Sequence, residues 1–466
     1  MLGKLLFGES ASQSKRGYIW IGLDFGSATT ECVVRHEQPG QPDDVMIMAF
    51  DGQDRTDAKL IIPSAVGLRS GTLVPGRCLK GGEDVHEHIK LSLIERAKLG
   101  LTHEHYDWDS EIAFCSLHLA DVISCVRKSL KRRLGEAARK LPIRLAIAAP
   151  LSVEESDEES VLVERAFREM GWYALQLSET LGPGEIDSRI WRSVWSRLIR
   201  EEVPAVDSSP VSIVPEALAA VSSYLLQPSR QPGLYATIDI GGGTTDLSFF
   251  WFNTGRYSDG GDQEAWYYSM ETSPIGFGGL LGYVHDVLQG EAGHTSHQRL
   301  SQLSSLQPYL ERDGVLEFLE EIHGTYVGAW KNAYRVDQNM KTWLDRSGSS
   351  TWTLLLLGGG AGWDTVQDHM KQNTPYELIQ NHMAVESLEI DRATPVLLPS
   401  GKHAPEIDRD DYRWHDDRVH VHGHMLSVAH GLSHRAPDLP CYGQEDHKPP
   451  PSAPPCWVPP EHTVHN

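Results

Sequence analysis

One strand–turn–strand pattern occurs twice in this chain, and the repeat restricts the fold more than any other feature. The first turn, residues 24–30, reads DFGSATT, and the second, residues 239–246, reads DIGGGTTD. Each turn lies between two apolar segments that predict strands. The predicted strands are Tyr18–Leu23 and Glu31–Val34 around the first turn, and Leu234–Ile238 and Leu247–Trp251 around the second.

The residue types of both turns suit a bound phosphate. Glycines let the backbone approach a bulky anion, amide and hydroxyl groups bind its oxygens, and an aspartate offers a carboxylate to a metal ion. Asp24 and Asp239 are 215 residues apart in the sequence. Two such hairpins facing each other would hold the phosphates of one nucleotide from both sides.

Charge and cysteine content narrow the class of protein. The 466 residues carry a net charge of −22, which argues against a nucleic-acid groove or an anionic membrane surface as the main partner. The six cysteines form no C-x-x-C pair, which indicates neither a disulfide framework nor a zinc ribbon. The N-terminal apolar run is too short for a signal peptide, and no stretch reaches transmembrane length. We therefore expect a cytoplasmic protein.

Alternating strands and helices predict an α/β fold. Residues 1–16 form a polar leader, and the Pro-rich segment 227–233 is the clearest internal linker. Residues 436–466 contain 9 of the 27 prolines, so we expect a disordered tail. Further strands are predicted at Val45–Phe50, Ile143–Ala149, Val211–Val214 and Thr353–Leu357. Helices are predicted at His88–Leu99, Ile112–Arg139, Ser152–Met170, Ser188–Glu201, Pro215–Leu226 and Met425–Leu432.

In pattern and order, these turns resemble the phosphate motifs of the actin-like ATPase superfamily, which includes actin, sugar kinases and the seventy-kilodalton heat-shock chaperones. The glycine triplet of the second turn resembles the heat-shock branch. Leu357-Gly358-Gly359-Gly360 resembles the adenosine motif of the superfamily. The resemblance implies a two-lobed actin-like ATPase fold with duplicated ribonuclease-H-like subdomains around a nucleotide cleft.

Two further segments resemble the heat-shock branch. Pro215–Ala220 is similar to the segment that carries its catalytic glutamate, which would be Glu216. Ile89–Ile94 is similar to the segment with the lysine that reaches the γ-phosphate, which would be Lys90. The resemblance implies lobe I at 17–230 with an inserted subdomain at about 41–112, and lobe II at 231–434 with a smaller helical subdomain at about 280–345. Residues 435–466 form the tail.

The implied ligands are ATP and Mg²⁺. Asp24 and Asp239 would hold hydrated Mg²⁺, Lys90 would offset negative charge, Glu216 would orient the attacking water, and Thr244 would sense the γ-phosphate. The implied catalytic residues are Lys90, Glu216, Asp239 and Thr244. The implied nucleotide-binding residues are Asp24, Gly26, Ser27, Ala28, Thr29, Gly241, Gly242, Gly243, Thr244, Thr245, Gly358, Gly359 and Gly360.

The chain also departs from the heat-shock pattern. Ala28 replaces a hydroxyl residue, so the first turn is expected to make one phosphate contact fewer. The arginine that commonly lies against adenine is missing, and Gly362-Trp363 occupies its neighbourhood. Only about thirty Pro-rich residues follow Leu432 in this sequence, so we expect neither the β-sandwich peptide-binding domain of the heat-shock branch nor its peptide-holding function. The tail could recruit a proline-reading partner, or serve as a spacer.

The expected function is a slow, heat-shock-chaperone-like ATPase that switches conformation for a partner protein. Three alternatives stay open: a filament-forming actin-like protein, a small-molecule kinase, and a scaffold that retains nucleotide without hydrolysis. Simpler interpretations of single residues also remain. Asp24 and Asp239 could be turn aspartates, Lys90 a solvated helix residue, and Glu216 an acid favoured by a helix dipole.

A histidine run near the C-terminus could instead suggest a metal site. His420, His422 and His424 would share one face of a strand, a geometry able to bind zinc or nickel. No cysteine pair or HExxH spacing supports this interpretation, so we do not predict a metal there. Gly276, Gly278 and Gly279 are interpreted as structural turn glycines.

Overall fold

The computed structural model describes most of the first half of the chain and separate segments of the second. The described residues are 17–51, 58–59, 61–80, 82–100, 106–151, 158–226, 233–253, 264–273, 276, 319–329, 353–358, 383–385, 396–397, 427–434 and 441–444. Within them lie nineteen strands and seven α-helices, so the predicted α/β class is confirmed.

Strands are numbered in chain order. Strands β1 to β19 span Tyr18–Phe25, Thr29–Glu37, Asp44–Met48, Phe50–Asp51, Ala58–Lys59, Ile62–Pro63, Val66–Arg69, Thr72–Pro75, Asp84–His86, Ile143–Ala149, Ile186–Asp187, Val211–Pro215, Gly233–Ile240, Thr245–Asn253, Glu264–Ser273, Thr353–Leu357, Met383–Val385, Val396–Leu397 and Cys441–Gln444. Helices α1 to α7 span Ile89–Lys98, Glu111–Leu134, Glu158–Thr180, Ser188–Leu198, Glu216–Leu225, residues 319–329 and Ser427–Leu432.

Two larger sheets share one topology. In the first, the strand order is β12-β10-β1-β2-β3-β18, and β6 also pairs with β2. In the second, the order is β17-β16-β13-β14-β15-β19. With β6 left out, the first three strands of each sheet in chain order are antiparallel neighbours, and the next two strands run parallel to the first. The sequence repeat therefore corresponds to a structural repeat of five strands.

Each sheet also contains one edge strand that is not part of the five-stranded repeat. Strand β18 pairs in parallel with β3, and β19 pairs in parallel with β15. A smaller four-stranded sheet, in the order β11-β8-β7-β9, lies within the first half, and β4 and β5 form a two-stranded sheet.

The core of the first half lies between its sheet and helices α2 and α3, which pack against each other. Strand β1 is buried from Tyr18 to Leu23, as expected for a central strand covered on both faces. A second apolar cluster joins the two sheets, because it combines residues of β10, α5, the strands β13 to β16, and α7. Helices α5 and α7 contact each other within this cluster, and α7 also packs on β1.

Most predicted elements occur near their predicted positions, but two differ clearly. Helix α2 ends at Leu134 and continues as the 3-10 helix Gly135–Lys140, since Gly135 takes a φ of 64° that an α-helix does not accept. Helix α3 reaches Thr180, ten residues beyond the predicted end, and it packs on β10 and β12, where Gly171 lies close to side chains of Ile147 and Val211.

The C-terminal segment requires a correction. Residues 435–466 were predicted to be disordered, yet Cys441–Gln444 forms β19 on the edge of the second sheet. The rest of this segment lies outside the described residues. So do the leader, the linker 227–232, His420, His422 and His424, and all of the predicted helical subdomain except 319–329.

Two observations concern compartment and membrane. Cys32, Cys78, Cys115 and Cys125 are free thiols. Among the helices that the structure describes, none combines the length and apolar character needed to span a bilayer.

Candidate functional site

The two Gly-rich turns have the same backbone geometry. In the first, the amide of Gly26 donates to the carbonyl of Thr29 at 2.8 Å, and in the second, the amide of Gly241 donates to the carbonyl of Thr244 at 2.9 Å. The register places Asp24 opposite Glu31 and Asp239 opposite Asp246. Each hairpin therefore carries two facing carboxylates at its turn end.

The turns lie against each other although they belong to different sheets. A Cβ atom built on Gly242 would lie 2.5 Å from the Cβ of Ala28, and one built on Gly243 would lie 3.0 Å from the Cβ of Ser27. Real Cβ atoms do not approach at the first of these distances. Gly242 and Gly243 are thus needed for the close approach of the two hairpins.

A pocket forms where the hairpins meet, and it collects residues from both sheets and three helices. Two of its walls are the turns themselves, and α1, α5 and α7 contribute the others. The lining residues are Asp24, Gly26, Ser27, Ala28, Thr29, Glu31, Lys90, Glu216, Asp239, Ile240, Gly241, Gly242, Thr244, Asp246, Gly358 and Val428.

Lys90 and Glu216 are in direct contact in this pocket. The Lys90 Nζ donates a hydrogen bond to the Glu216 Oε1, and Lys90 is only 4% exposed. Burial lowers the pKa of Lys90, but the charges of Glu216 and Asp24 raise it by more, so the net change is upward. The lysine therefore stays cationic, and its charge is directed at a carboxylate.

Four more carboxyl groups crowd around this one lysine. Burial raises the pKa of Asp24 from 3.8 to about 6, against the opposing effect of Lys90. Burial, together with the charge of Glu216, raises the pKa of Asp246 to about 7. The pKa values of Glu31 and Asp239 lie well above their usual range, again through burial and then through neighbouring carboxylates. Mutual repulsion of this kind is relieved by protons or by a bound cation.

The donor set fits hydrated Mg²⁺ better than a directly ligated metal. Within the described part of the chain, no group of three or more His, Cys, Asp or Glu side chains is arranged to hold a metal ion. Mg²⁺ usually keeps several waters and uses few carboxylates, so Asp24 and Asp239 would be enough to position it. The surplus of negative charge in the pocket favours a cation there.

Two hydroxyl groups of the turns are engaged with neighbouring carboxylates. Thr29 donates to Glu31, and Thr244 donates to Asp246 at 3.4 Å, so both are engaged with carboxylates. Thr245 is fully buried beneath the second turn and does not line the pocket. Ser27 lines the pocket and is 7% exposed. The amides of the turns are thus the main candidates for phosphate contacts.

The predicted adenosine motif is described only at its first glycine. Gly358 lines the pocket with a φ of 76°, and a Cβ there would collide with the Asp239 carboxylate. Gly359, Gly360 and Trp363 lie outside the described residues. Gly276 packs against the backbone of Gly243 and Thr244, which agrees with its interpretation as a structural glycine.

Sequence reasoning missed Glu31, and it assigned no role to Asp246. Glu31 is 3% exposed, and its carboxyl group is hydrogen-bonded to that of Asp24. Asp246 accepts hydrogen bonds from Thr244 and, at 2.5 Å, from Thr272. Counting the register of a hairpin outward from each turn would have placed both residues opposite the two predicted aspartates.

A buried network supports the first hairpin from below. The hydroxyls of Thr30 and Ser64 are hydrogen-bonded at 2.7 Å, and the His118 Nε2 lies 2.9 Å from the Thr30 hydroxyl. Burial lowers the pKa of His118 to about 4, so the imidazole is neutral. The Ser64 amide also donates to the carbonyl of Ala28 at 2.9 Å, which ties the turn to the segment before β7.

Comparisons with known proteins add no assignment to this geometry. No protein family matches the sequence, and no curated protein matches it either.

Proposed function

We propose that the protein binds ATP with Mg²⁺ between its two Gly-rich turns and hydrolyses the ATP slowly. The fold would be two-lobed and actin-like, closest to the nucleotide-binding domain of the seventy-kilodalton heat-shock chaperones. One observation carries the proposal. Two turns 215 residues apart in the sequence face each other with the same hydrogen bond, and Lys90 and Glu216 lie in the pocket between them.

The residues of the pocket can supply what phosphoryl transfer to water requires. That reaction needs positioning and charge compensation, with little covalent chemistry from the protein. Amides of Gly241 and Gly242 would bind phosphate oxygens, and Glu216 would orient the attacking water. Asp24 and Asp239 would hold Mg²⁺, which supplies compensation for the phosphate charge when it is bound.

The output would be a change in the relative position of the two sheets. A nucleotide that contacts both turns stabilises the arrangement in which they are close, and loss of the γ-phosphate removes part of that stabilisation. A partner protein that reads the arrangement would then respond to the nucleotide state. This makes the protein a nucleotide-driven conformational switch.

Substitutions of three pocket residues test the proposal. Binding of a fluorescent ATP analogue and release of phosphate are measured for the wild type and for Asp239→Ala, Lys90→Ala and Glu216→Ala. We expect Asp239→Ala to weaken Mg²⁺-dependent binding, and the other two to lower phosphate release by about a hundredfold or more. Asp207→Ala, at an exposed position outside the pocket, is the control. Unchanged turnover in all three pocket variants would reject the site.

A second candidate function is nucleotide binding without hydrolysis. The direct contact between Lys90 and Glu216 favours it, since both side chains are occupied by each other rather than by phosphate or water. In this case the wild type would bind the ATP analogue and release no phosphate. Lys90→Ala and Glu216→Ala would then change affinity alone.

A further inference from the structure

A second pocket adjoins the phosphate pocket and shares two of its carboxylates. It has a volume of about 200 Å³, and Glu216 and Asp246 belong to the walls of both pockets. The two carboxylates thus form a partition between the pockets.

The lining of the second pocket combines apolar walls with this acidic partition. Leu151, Val163, Leu247 and Met270 supply aliphatic surface suited to a short hydrocarbon stem. Lys98 also lines this pocket, but its Nζ forms an ion pair with Glu159 at 2.9 Å. Lys98 is therefore already paired with Glu159, and it does not neutralise Glu216 or Asp246.

In the phosphate pocket, too, cationic side chains do not fully neutralise the carboxyl groups. Lys90 is the one cationic side chain among the described residues that line the phosphate pocket, against five carboxyl groups. Its ammonium contacts Glu216, so it is held on the partition. If a cation in the second pocket paired with Glu216, Lys90 would be free to turn toward a phosphate in the phosphate pocket.

We propose that the second pocket binds a small primary amine, whose ammonium group contacts Glu216 and Asp246 and whose apolar stem lies on Leu151, Val163 and Met270. The bound ammonium replaces Lys90 as the partner of one Glu216 oxygen, and the other oxygen remains for the attacking water. Lys90 is released to the phosphate, and hydrolysis accelerates. The accelerating effect rests on the proposed function of the first pocket, whereas the amine site itself does not.

The test uses n-butylammonium as the probe and n-butanol as its neutral counterpart with the same stem. Binding to the nucleotide-free, full-length protein is measured by ligand-observed saturation-transfer NMR, and phosphate release is measured with ATP and Mg²⁺. We expect saturable binding of butylammonium and an increase in release of at least about tenfold, as for one added cationic group near the phosphate. Butanol should produce neither effect.

Two variants fill the second pocket without touching the first. Met270→Trp places a large side chain in it from β15, and Val163→Phe does so from α3. Each should abolish butylammonium binding and stimulation while basal release stays unchanged. Ile190→Trp, at a position that is 55% exposed and outside both pockets, should respond like the wild type. Thermal unfolding identifies a variant that fails to fold, and the other then carries the test.

The outcomes separate the two proposals. No butylammonium binding by the wild type, equal effects of butanol, or full binding by a folded pocket-filling variant would overturn the amine site. Specific amine binding that leaves phosphate release unchanged would overturn the release of Lys90. A protein that binds the amine but no ATP would overturn the proposed function and leave the amine site established by NMR.

Discussion

At the scale of single residues, Gly358 is the position where backbone and site are most tightly linked. Its φ of 76° disfavours any side chain, and a Cβ would also collide with the Asp239 carboxylate and lie 2.6 Å from the carbonyl of Ile240. Gly358→Ala should therefore weaken nucleotide binding as well as stability. We expect the free energy of unfolding to fall by about 2–4 kcal/mol, of which about 1 kcal/mol is backbone strain.

Gly40 provides a matched control for this substitution. It has the same φ of 76°, but it is exposed, and a Cβ added there would have nothing within 4 Å. Gly40→Ala should lose only about 1 kcal/mol and leave nucleotide affinity unchanged. Urea unfolding and titration with a fluorescent ATP analogue measure both quantities. Equal losses for the two variants would show that contact with Asp239 is unimportant.

The carboxyl groups of the pocket should make the ligand-free protein less stable as pH rises. The pKa values of Asp24 and Asp246 are raised from 3.8 to about 6 and about 7, so the folded state keeps protons that the unfolded state has lost. This contribution to stability is complete below about pH 4 and disappears as pH rises through 6 and 7. We expect a decline on the order of 5 kcal/mol across that range, at about 1.4 kcal/mol for each pKa unit.

Asp246→Asn tests the origin of this decline. The amide cannot ionise, so the variant should gain stability relative to the wild type between about pH 4 and pH 7. Urea unfolding at several pH values gives the difference between the two proteins, in which the contributions of groups that do not interact with Asp246 cancel. Parallel curves would mean that Asp246 ionises in the folded protein as it does in the unfolded one.

Some residues of the candidate site could be predicted from the sequence, and others could not. The turn aspartates were predictable because their motif has a chemical reason, whereas Lys90 and Glu216 were singled out because their segments resemble those of a known family. Glu31 was not, since it follows the turn as an ordinary strand residue and becomes part of the pocket only through its register with Asp24. The contact of Lys90 with Glu216 depends on the packing of α1 and α5, which no local pattern records.

At the scale of elements, α7 links the candidate site to the first sheet. Gly22 lies in strand β1 where α7 crosses it. A Cβ atom built on Gly22 would lie 2.5 Å from the amide nitrogen of Ser433 and would overlap with the carbonyl oxygen of Ala429. Val428, in the first turn of α7, lines the phosphate pocket. A change that displaces α7 should therefore affect the pocket.

Gly22→Ala tests that link. The added methyl group meets backbone atoms that cannot move aside, so we expect a loss of about 2–3 kcal/mol in the free energy of unfolding and weaker binding of the ATP analogue. Gly182→Ala is the control, because nothing lies within 4 Å of its added methyl group. Denaturant unfolding and analogue titration are again the measurements. If Gly22→Ala binds the analogue as tightly as the wild type does, the position of α7 does not affect the pocket.

Strands and helices were predictable where their own residues form a clear apolar pattern. Strands β1, β2, β13 and β14 are long apolar runs beside glycine turns, and they were predicted close to their observed bounds. The short strands β17, β18 and β19 carry no such signal, because each exists by pairing with an edge that lies elsewhere in the chain. Helix α3 was predicted too short, since its continuation past Gly171 depends on packing against β10 and β12.

At the scale of the whole molecule, the duplicated sheet accounts for the position of the site. Each copy ends its first hairpin in a Gly-rich turn with two facing carboxylates, and the two turns meet because α5 and α7 join the copies in one apolar cluster. A site assembled from two copies changes when the copies move relative to each other. This is the physical basis for expecting a ligand in the pocket to be coupled to the arrangement of the whole chain.

The end of the chain gives a test at this scale. Strand β19 covers the edge of β15, so removing it should expose unpaired backbone groups that associate with other molecules. A chain ending at His434 should be less stable than the full chain and should form larger species in size-exclusion chromatography with light scattering. A chain ending at Asp446 keeps β19 and should behave like the full protein. If instead the whole segment after His434 is dispensable, the two truncated chains will be indistinguishable, and the pairing of β19 contributes nothing to the fold.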